Sequence, residues 1–370
     1  MENLTVHIDD SDLLALRARL RATQWAPEYA NEDWRYGTYG AYLRELVDYW
    51  IDGYDWRAQE AAINAFEHRR VDIDGIPIHF IREPGRGDRP VPLVLTHGWP
   101  WTFWDMHRVI GPLADPAAHG GDPADAFDVI VPSLPGYGFS SPLRQTGVNF
   151  HRTADLWVKL MREVLGYGRF AAQGGDWGAF VTGELGHRHA DKLIGIHLTN
   201  MIPLDVFSGA TPYNIARRRS ASHVAVHMLD PQTLSWALHD SPVGLAAWLL
   251  ERRRAWGDCN GDVETRFSKD HLITTTMIYW HTRTFATSIR YYAEAMDHPW
   301  KPAHARTPVV EAPTGLSFFE PDSGPGPTDW QRGYFNIHYT RSHPRGGHFA
   351  PMEEPEALVE DIRATFRSLR

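Results

Sequence analysis

The sequence predicts an α/β fold: a doubly wound, mostly parallel sheet with an inserted helical cap and an N-terminal helical meander. Three observations carry this expectation. From residue 71 onward, short continuous apolar runs alternate with helical stretches, as in strands covered by helices on both faces. The alternation stops near 205 and resumes near 305, with a helical, aromatic stretch between. The first 70 residues carry helical pattern and no convincing buried strand. The expected organisation is a meander over 1–70, core over 71–205, cap over 206–300 and core again over 301–370.

Each element has a local reason. Residues 12–24 form a helix with Leu13, Leu14, Leu16 and Leu20 as its apolar stripe and Asp9 or Ser11 as its cap. Residues 39–66 continue the helical pattern, broken near Gly53. Strands are expected at Val91–Thr96, Phe127–Val131, Phe170–Ala172, Leu193–Leu198, Gly315–Phe319 and Phe335–Tyr339, with a helix at Ala179–Ala190. The Pro-rich segments 299–313 and 321–327 read as loops. In an open sheet of this kind the cleft lies beyond the carboxyl ends of the strands, where an inserted cap would cover it.

Composition narrows the partners. The 370 residues suffice for one large core plus additions. A formal charge of −9 offers no basic field, so no nucleic-acid partner is expected. Cys259 is the single cysteine and no motif surrounds it, so it reads as a small packed side chain. The N-terminus lacks a basic segment followed by an apolar run. No apolar run reaches the ~18 residues of a membrane span. A soluble, cytoplasmic enzyme without a membrane anchor is the expectation. Asp258-Cys-Asn-Gly-Asp-Val-Glu264 imitates a calcium loop, but Val263 and Lys269 stand where an EF-hand needs Gly and Glu. No His/Cys cluster points to a metal, and no Gly-x-Gly-x-x-Gly joins a strand to a helix. No cofactor is expected. The 15 Trp, 14 Tyr and 16 Phe indicate large apolar contacts in the core or around a pocket.

The chemistry gathers on three loops. Gly174-Gly-Asp-Trp-Gly178 lies between an expected strand and helix, the setting of a nucleophile elbow whose tight turn needs small flanking residues. Alone, the pattern fits an ordinary turn whose aspartate caps a helix. In context, Asp176 becomes a nucleophile for an electrophilic sp³ carbon, forming an alkyl-enzyme ester. His97-Gly-Trp-Pro100 follows an early strand. The backbone N–H groups of Trp99 and Trp177 are then the oxyanion-hole donors, each commonly worth about 2.7–4 kcal/mol. Trp99 can serve as a core aromatic at the same time, because the role uses only its backbone. Pro135-Gly-Tyr-Gly-Phe-Ser140 is assigned structural support. Arg345-Gly-Gly-His-Phe349 follows the last expected strand and offers His348 as general base. With 20 His in the chain, position is the argument, and His343 and His338 compete. Asp322 and Glu320 both qualify as the carboxylate partner after the preceding strand, in the chain order this arrangement requires.

Together these motifs resemble the epoxide hydrolases that carry an N-terminal meander, the group of microsomal epoxide hydrolase within the α/β-hydrolase fold. The resemblance also covers Leu14–Trp25, Asp33-Trp-Arg-Tyr-Gly37, Tyr42–Glu60 with its Tyr54-Asp-Trp-Arg-Ala-Gln-Glu60, Asp230-Pro-Gln-Thr-Leu234, Asp240–Trp248 and Ser268-Lys-Asp270. It implies Asp176 as nucleophile, His348 as base and Asp322 as the acid partner, with an epoxide and water as substrates; the aromatic cap points to a small apolar epoxide. It also implies two cap tyrosines that protonate the epoxide oxygen, since an alkoxide leaves poorly without a proton. One matches Tyr292 in Arg290-Tyr-Tyr-Ala-Glu294, with Tyr291 as its neighbour and alternate. The other falls on His223, and His227 stands where the family has glutamine. A His/Tyr pair still offers two donors, whereas His223 as a surface cap residue would leave Tyr292 acting alone. A homodimer fits such caps and meanders.

Two rivals use the same residues. A haloalkane or haloacid dehalogenase shares the ester, with Trp177 or Trp101 as halide donors. The expected cap tyrosine and the meander weigh against it, and Ala179–Glu184 lacks the arginines a haloacid needs. An inactive, hydrolase-like binding protein is the other, kept open by the missing tyrosine.

Overall fold

The computed structural model describes residues 1–207 and 221–370, so part of the expected cap, 208–220, lies outside the described residues. The strands are β1 (Glu2–Leu4), β2 (Glu67–Ile73), β3 (Ile76–Glu83), β4 (Val91–Thr96), β5 (Phe127–Pro132), β6 (Phe170–Gly174), β7 (Leu193–Leu198), β8 (Val310–Phe319) and β9 (Phe335–His343). They form one sheet in the order β1-β2-β3-β5-β4-β6-β7-β8-β9. Pairing is antiparallel from β1 through β3 to β5 and parallel from there to β9.

Both faces are covered, which explains the continuous apolarity. On β4, Leu93 and Leu95 join one buried cluster and Val94 joins the other. On β5, Val129 and Val131 face the first and Ile130 the second. Each such side chain, fully buried, contributes about 1.5–3 kcal/mol.

The meander holds α1 (Asp10–Arg21), α2 (Gly40–Asp52) and α3 (Trp56–Ile63). Asp9 occupies the cap position of α1 without a side-chain cap bond. Helix α2 stops at Gly53, and α3 restarts where the Asp55 carboxylate accepts the Ala58 amide at 3.2 Å. Core helices are α4 (His107–Ala114), α5 (Phe150–Lys159) and α6 (Trp177–Arg188). Between β7 and β8 lie α7 (Ser222–Leu229), α8 (Pro231–Asp240), α9 (Pro242–Trp256), α10 (Lys269–Thr282) and α11 (Phe285–Asp297). Short helices α12 (Glu320–Ser323), α13 (Asp329–Tyr334) and α14 (Ala350–Glu353) precede α15 (Pro355–Arg367).

Two expectations need correction. The first 70 residues do contain strand: β1 edges the sheet and pairs with the start of β2. Neither carries the continuous apolar run that marks a central strand, because β1 is a short, largely exposed edge and Glu67, Arg69 and Arg70 at the start of β2 are only half-buried. Strand β8 also begins at Val310, inside a segment read as loop, because its Pro313 sits amid otherwise strand-like residues.

The meander braces the cap from outside. Arg19 donates to the Asp240 carbonyl at 2.9 Å, Tyr49 Oη to Asp270 at 2.8 Å and Thr38 Oγ1 to the Ala247 carbonyl at 2.8 Å. Tyr54 Oη and Thr274 Oγ1 lie 2.9 Å apart. Among the described residues, no helix is long and apolar enough to cross a membrane.

Candidate active site

Asp176 stands at the turn from β6 into α6 with φ 53° and ψ −125°. A non-glycine residue held there stores about 1–3 kcal/mol of strain, a cost typical of functional turns. The packing around it leaves no room for larger neighbours. A Cβ on Gly178 would strike the Thr96 carbonyl, and one on Gly98 would strike the Asp176 carboxylate itself.

The two carboxylate oxygens of Asp176 have different partners. Oδ1 accepts the backbone N–H of Trp99 at 2.7 Å. Oδ2 lies 3.3 Å from His348 Nε2. His348 Nδ1 lies 3.1 Å from Asp322 Oδ1, and Asp322 Oδ2 accepts from the Asn200 amide. The side chains of Asp176, His348 and Asp322 are 18%, 13% and 19% exposed, so these charges interact in a largely desolvated line. Burial opposes charge on His348, but Asp322 and Asp176 outweigh it and raise its pKa to about 10. Burial likewise opposes charge on Asp322, and His348 and Asn200 hold its carboxyl below the usual range.

His97 fixes the amide that meets Asp176. Its Nε2 accepts the Leu134 N–H at 3.0 Å, so the ring proton sits on Nδ1 and is donated to the Gly98 carbonyl at 2.9 Å. A trans peptide points its C=O and N–H in opposite directions. Drawing the Gly98 carbonyl toward His97 therefore aims the Trp99 N–H at Asp176. Burial holds the His97 pKa down to about 4, so the ring stays neutral at neutral pH. On the other side, the amides of Gly347 and Phe349 donate to the buried Glu353 carboxylate, each at 2.9 Å, and fix the loop around His348.

A cavity of about 290 Å³ opens onto these groups. Trp177, Phe180, Phe207, Val224 and Trp256 supply much of its apolar wall, with Asp176, Asp322 and His348 among the lining residues. His223 on α7 and Tyr292 on α11 line it from the cap. Tyr292 Oη lies 3.4 Å from His223 Nε2. His223 stacks on the Trp99 ring at 5.2 Å and 11°, and Tyr292 packs edge-on to Trp177 at 4.7 Å. His223 is therefore buried, not a surface residue.

The remaining candidates fall elsewhere. Tyr291 is buried with its Oη 2.7 Å from Thr153 Oγ1 and does not line the cavity. Glu320 is exposed, and Asp322 is the carboxylate that meets His348. His343 bonds Asp361 at 2.6 Å, and His338 is exposed on β9. Of the two expected amide donors, Trp99 is the one hydrogen-bonded to Asp176 here; Trp177 opens α6 and its ring lines the cavity. Asn200 was not singled out in the sequence. Its one signal is position, two residues beyond the carboxyl end of a core strand. Among the described residues, no His/Cys/Asp/Glu group could hold a metal.

Comparisons with known proteins place the whole chain among relatives. Residues 1–106 match the family model "Epoxide hydrolase N terminus", and residues 91–220 match "alpha/beta hydrolase fold". Epoxide hydrolase 1 of Oryctolagus cuniculus is 33% identical, over 96% of this chain and 86% of that protein. The structure of the Aspergillus niger epoxide hydrolase aligns with TM-score 0.84 and 29% identity, over 100% of this chain and 96% of that one. The juvenile hormone epoxide hydrolase of Bombyx mori aligns with TM-score 0.84 and 26% identity, over 100% and 94%. A nearly full-length match at this identity, on the same architecture, leads to one assignment: the chain belongs to the epoxide hydrolase family, with the α/β-hydrolase fold.

Proposed function

We propose that this epoxide hydrolase opens a small apolar epoxide through an ester on Asp176, and that His348 activates the water that releases the diol. The observation that carries the residue roles is the unbroken line from the Trp99 amide through Asp176 and His348 to Asp322. The cavity volume of about 290 Å³ lies at the lower end of the ~300–1,000 Å³ common for small-molecule sites. Its largely aromatic wall favours an apolar substrate.

The steps balance as follows. An Asp176 oxygen bonds to one epoxide carbon as the ring C–O bond breaks. The oxygen that leaves the carbon takes a proton from the Tyr292–His223 pair. His348, once it has given its resting proton to solvent, removes a proton from water, and the hydroxide adds to the ester carbonyl. The Trp99 and Trp177 amides receive the tetrahedral oxyanion. Collapse passes the proton of the added hydroxyl to the departing alkoxide, which frees the diol and restores the carboxylate, and solvent returns the proton taken from the cap pair. Asp322 orients His348 and stabilises its charged form.

Proton timing follows from charge. With Asp176 ionised, His348 is raised to about 10 and rests protonated. Forming the ester removes the Asp176 charge, one contributor to that rise, so the imidazolium becomes more acidic as a base is needed. The intermediate thereby helps to prepare its own hydrolysis.

The test is intact-mass spectrometry of His348→Gln incubated with a panel of epoxides and haloalkanes. Ester formation should proceed and hydrolysis stall. A mass gain equal to a whole epoxide, mapped to Asp176, is expected. A gain equal to a haloalkane minus HX, with none from epoxides, would reassign the reaction to dehalogenation.

A further inference from the structure

Helix α9 of the cap ends against both loops that carry the expected chemistry. Its last residue, Trp256, accepts the backbone N–H of His348 at 3.0 Å through its carbonyl. Just beyond, the Asp258 amide donates to Glu353 at 2.7 Å, the same carboxylate that accepts from Gly347 and Phe349. One turn back lies Arg253, whose side chain is 2% exposed. Its Nη1 is 2.6 Å from Asp105 Oδ1. Its Nη2 donates to the Pro100 carbonyl at 3.2 Å. Its guanidinium lies 4.1 Å from the centroid of the Phe349 ring.

These contacts reach both sides of the nucleophile. Pro100 directly follows Trp99, whose amide meets Asp176. Phe349 directly follows His348. Asp105 accepts the Thr102 amide through its other oxygen at 2.8 Å, which ties the same loop once more. Tyr279 of α10 donates to the next carbonyl, that of Trp101, at 2.8 Å. Two consecutive carbonyls of the oxyanion loop therefore rest on cap side chains.

A buried arginine of this kind is not needed for burial alone. An apolar residue of similar volume commonly stabilises as well or better, because two desolvated charges recover little from each other. What the guanidinium adds is geometry: a planar fork that meets a carboxylate, a carbonyl and a ring face at fixed angles. We propose that Arg253 is a positioning residue, which sets the spacing between the Trp99 amide and His348 on either side of Asp176. This rests on the site reading given above. His271 also faces Asp105, with Nε2 at 3.4 Å, so the carboxylate is shared between two cap helices.

The test compares Arg253→Met/Asp105→Asn with the wild-type enzyme, using styrene oxide as probe. The double change removes both charges, so no unpaired carboxylate remains to unfold the chain. Circular dichroism and the melting temperature report whether it folds. With folding retained, kcat should fall by about 10- to 100-fold, the scale expected for misplacing reacting groups by about 1 Å. KM should change less than about twofold, because neither residue lines the cavity. Single-turnover mass spectrometry should show both ester formation and hydrolysis slowed. Arg253→Lys keeps the charge but not the fork, and should recover stability without recovering kcat. A folded double variant with wild-type kcat would overturn the proposal, as would full recovery by lysine. A wild-type chain that turns over no epoxide would instead overturn the functional reading on which it rests.

Discussion

Asp176, Asp322 and His348 sit on loops or short turns beyond the carboxyl ends of β6, β8 and β9, whereas His223 and Tyr292 project from the cap helices α7 and α11. The first set is tied to a sheet buried on both faces, and each member is bonded to the next. The cap pair is placed by helix packing and by aromatic contacts with Trp99 and Trp177. A loop after a core strand tolerates little change, since Gly174 and Gly178 on either side of Asp176 have backbone where a side chain would go. A helix face accepts any donor that reaches the same point. The difference teaches that one half of the site is specified by backbone geometry and the other by reach. Histidine can therefore stand on α7 where the family resemblance implies tyrosine.

The sharpest way to break this comparison is to remove the nucleophile. Asp176→Ala should lower kcat by about 10⁴-fold or more, as the loss of a nucleophile does in enzymes that act through a covalent intermediate. No adduct should appear by intact mass with any epoxide. An Asp176→Ala enzyme that still forms a covalent adduct would move the chemistry to another residue.

Next in size is the acid partner. Asp322→Asn should slow ester hydrolysis by about 10³- to 10⁴-fold, by analogy with removing the aspartate of other triads. It should also move the pH profile in a fixed direction. Asp322 is the leading influence that raises His348 against burial, so without it the His348 pKa falls. The rise in hydrolysis rate as His348 loses its proton should then occur at lower pH than in the wild type. Glu320→Gln should leave both rate and profile unchanged, because Asp322 is the carboxylate in contact with His348. Wild-type hydrolysis in Asp322→Asn, with loss in Glu320→Gln, would reverse the assignment.

The cap pair should respond in the other step. Tyr292→Phe should slow ester formation by about 10²-fold or more, within the range of general acid catalysis. Hydrolysis of a preformed ester should not change. His223→Phe should slow the same step, and His223→Tyr should restore it. Stopped-flow tryptophan fluorescence can follow ester formation, since Trp99 packs against both residues and Trp177 against Tyr292. If His223→Phe is silent, Tyr292 acts alone and the two halves of the site differ more than reach requires.

The same division decides how much the sequence disclosed. The core strands were legible because residues such as Leu93, Val94 and Leu95 are apolar on both faces. The elbow and the two loops were legible because tight turns force glycine near Asp176 and His348. β1 was not legible: three residues at a sheet edge carry no apolar run. The choice between Tyr291 and Tyr292 was open, since adjacent helical residues point about 100° apart and only packing tells which faces the cavity. Arg253 was hidden for a related reason. An arginine on a helix gives no sign in the sequence that it is buried against two loops, one at Pro100 and Asp105 and the other at Phe349.

The smallest expected effect concerns Asn200, which belongs to the loop set by position and yet carries no charge. Its amide donates to the Asp322 oxygen that His348 does not occupy. A hydrogen bond to a charged group is worth about 1.5–3 kcal/mol when buried, and Asn200 is only half-buried, so the lower end applies. Asn200→Ala should therefore slow ester hydrolysis by about tenfold or less and leave ester formation within twofold. The separation matters more than the size. If Asn200 acts through Asp322, its removal in an Asp322→Asn background should cost nothing further. An additive loss in the double variant would mean that Asn200 acts on His348 directly, whose Nδ1 lies 3.3 Å from the same amide.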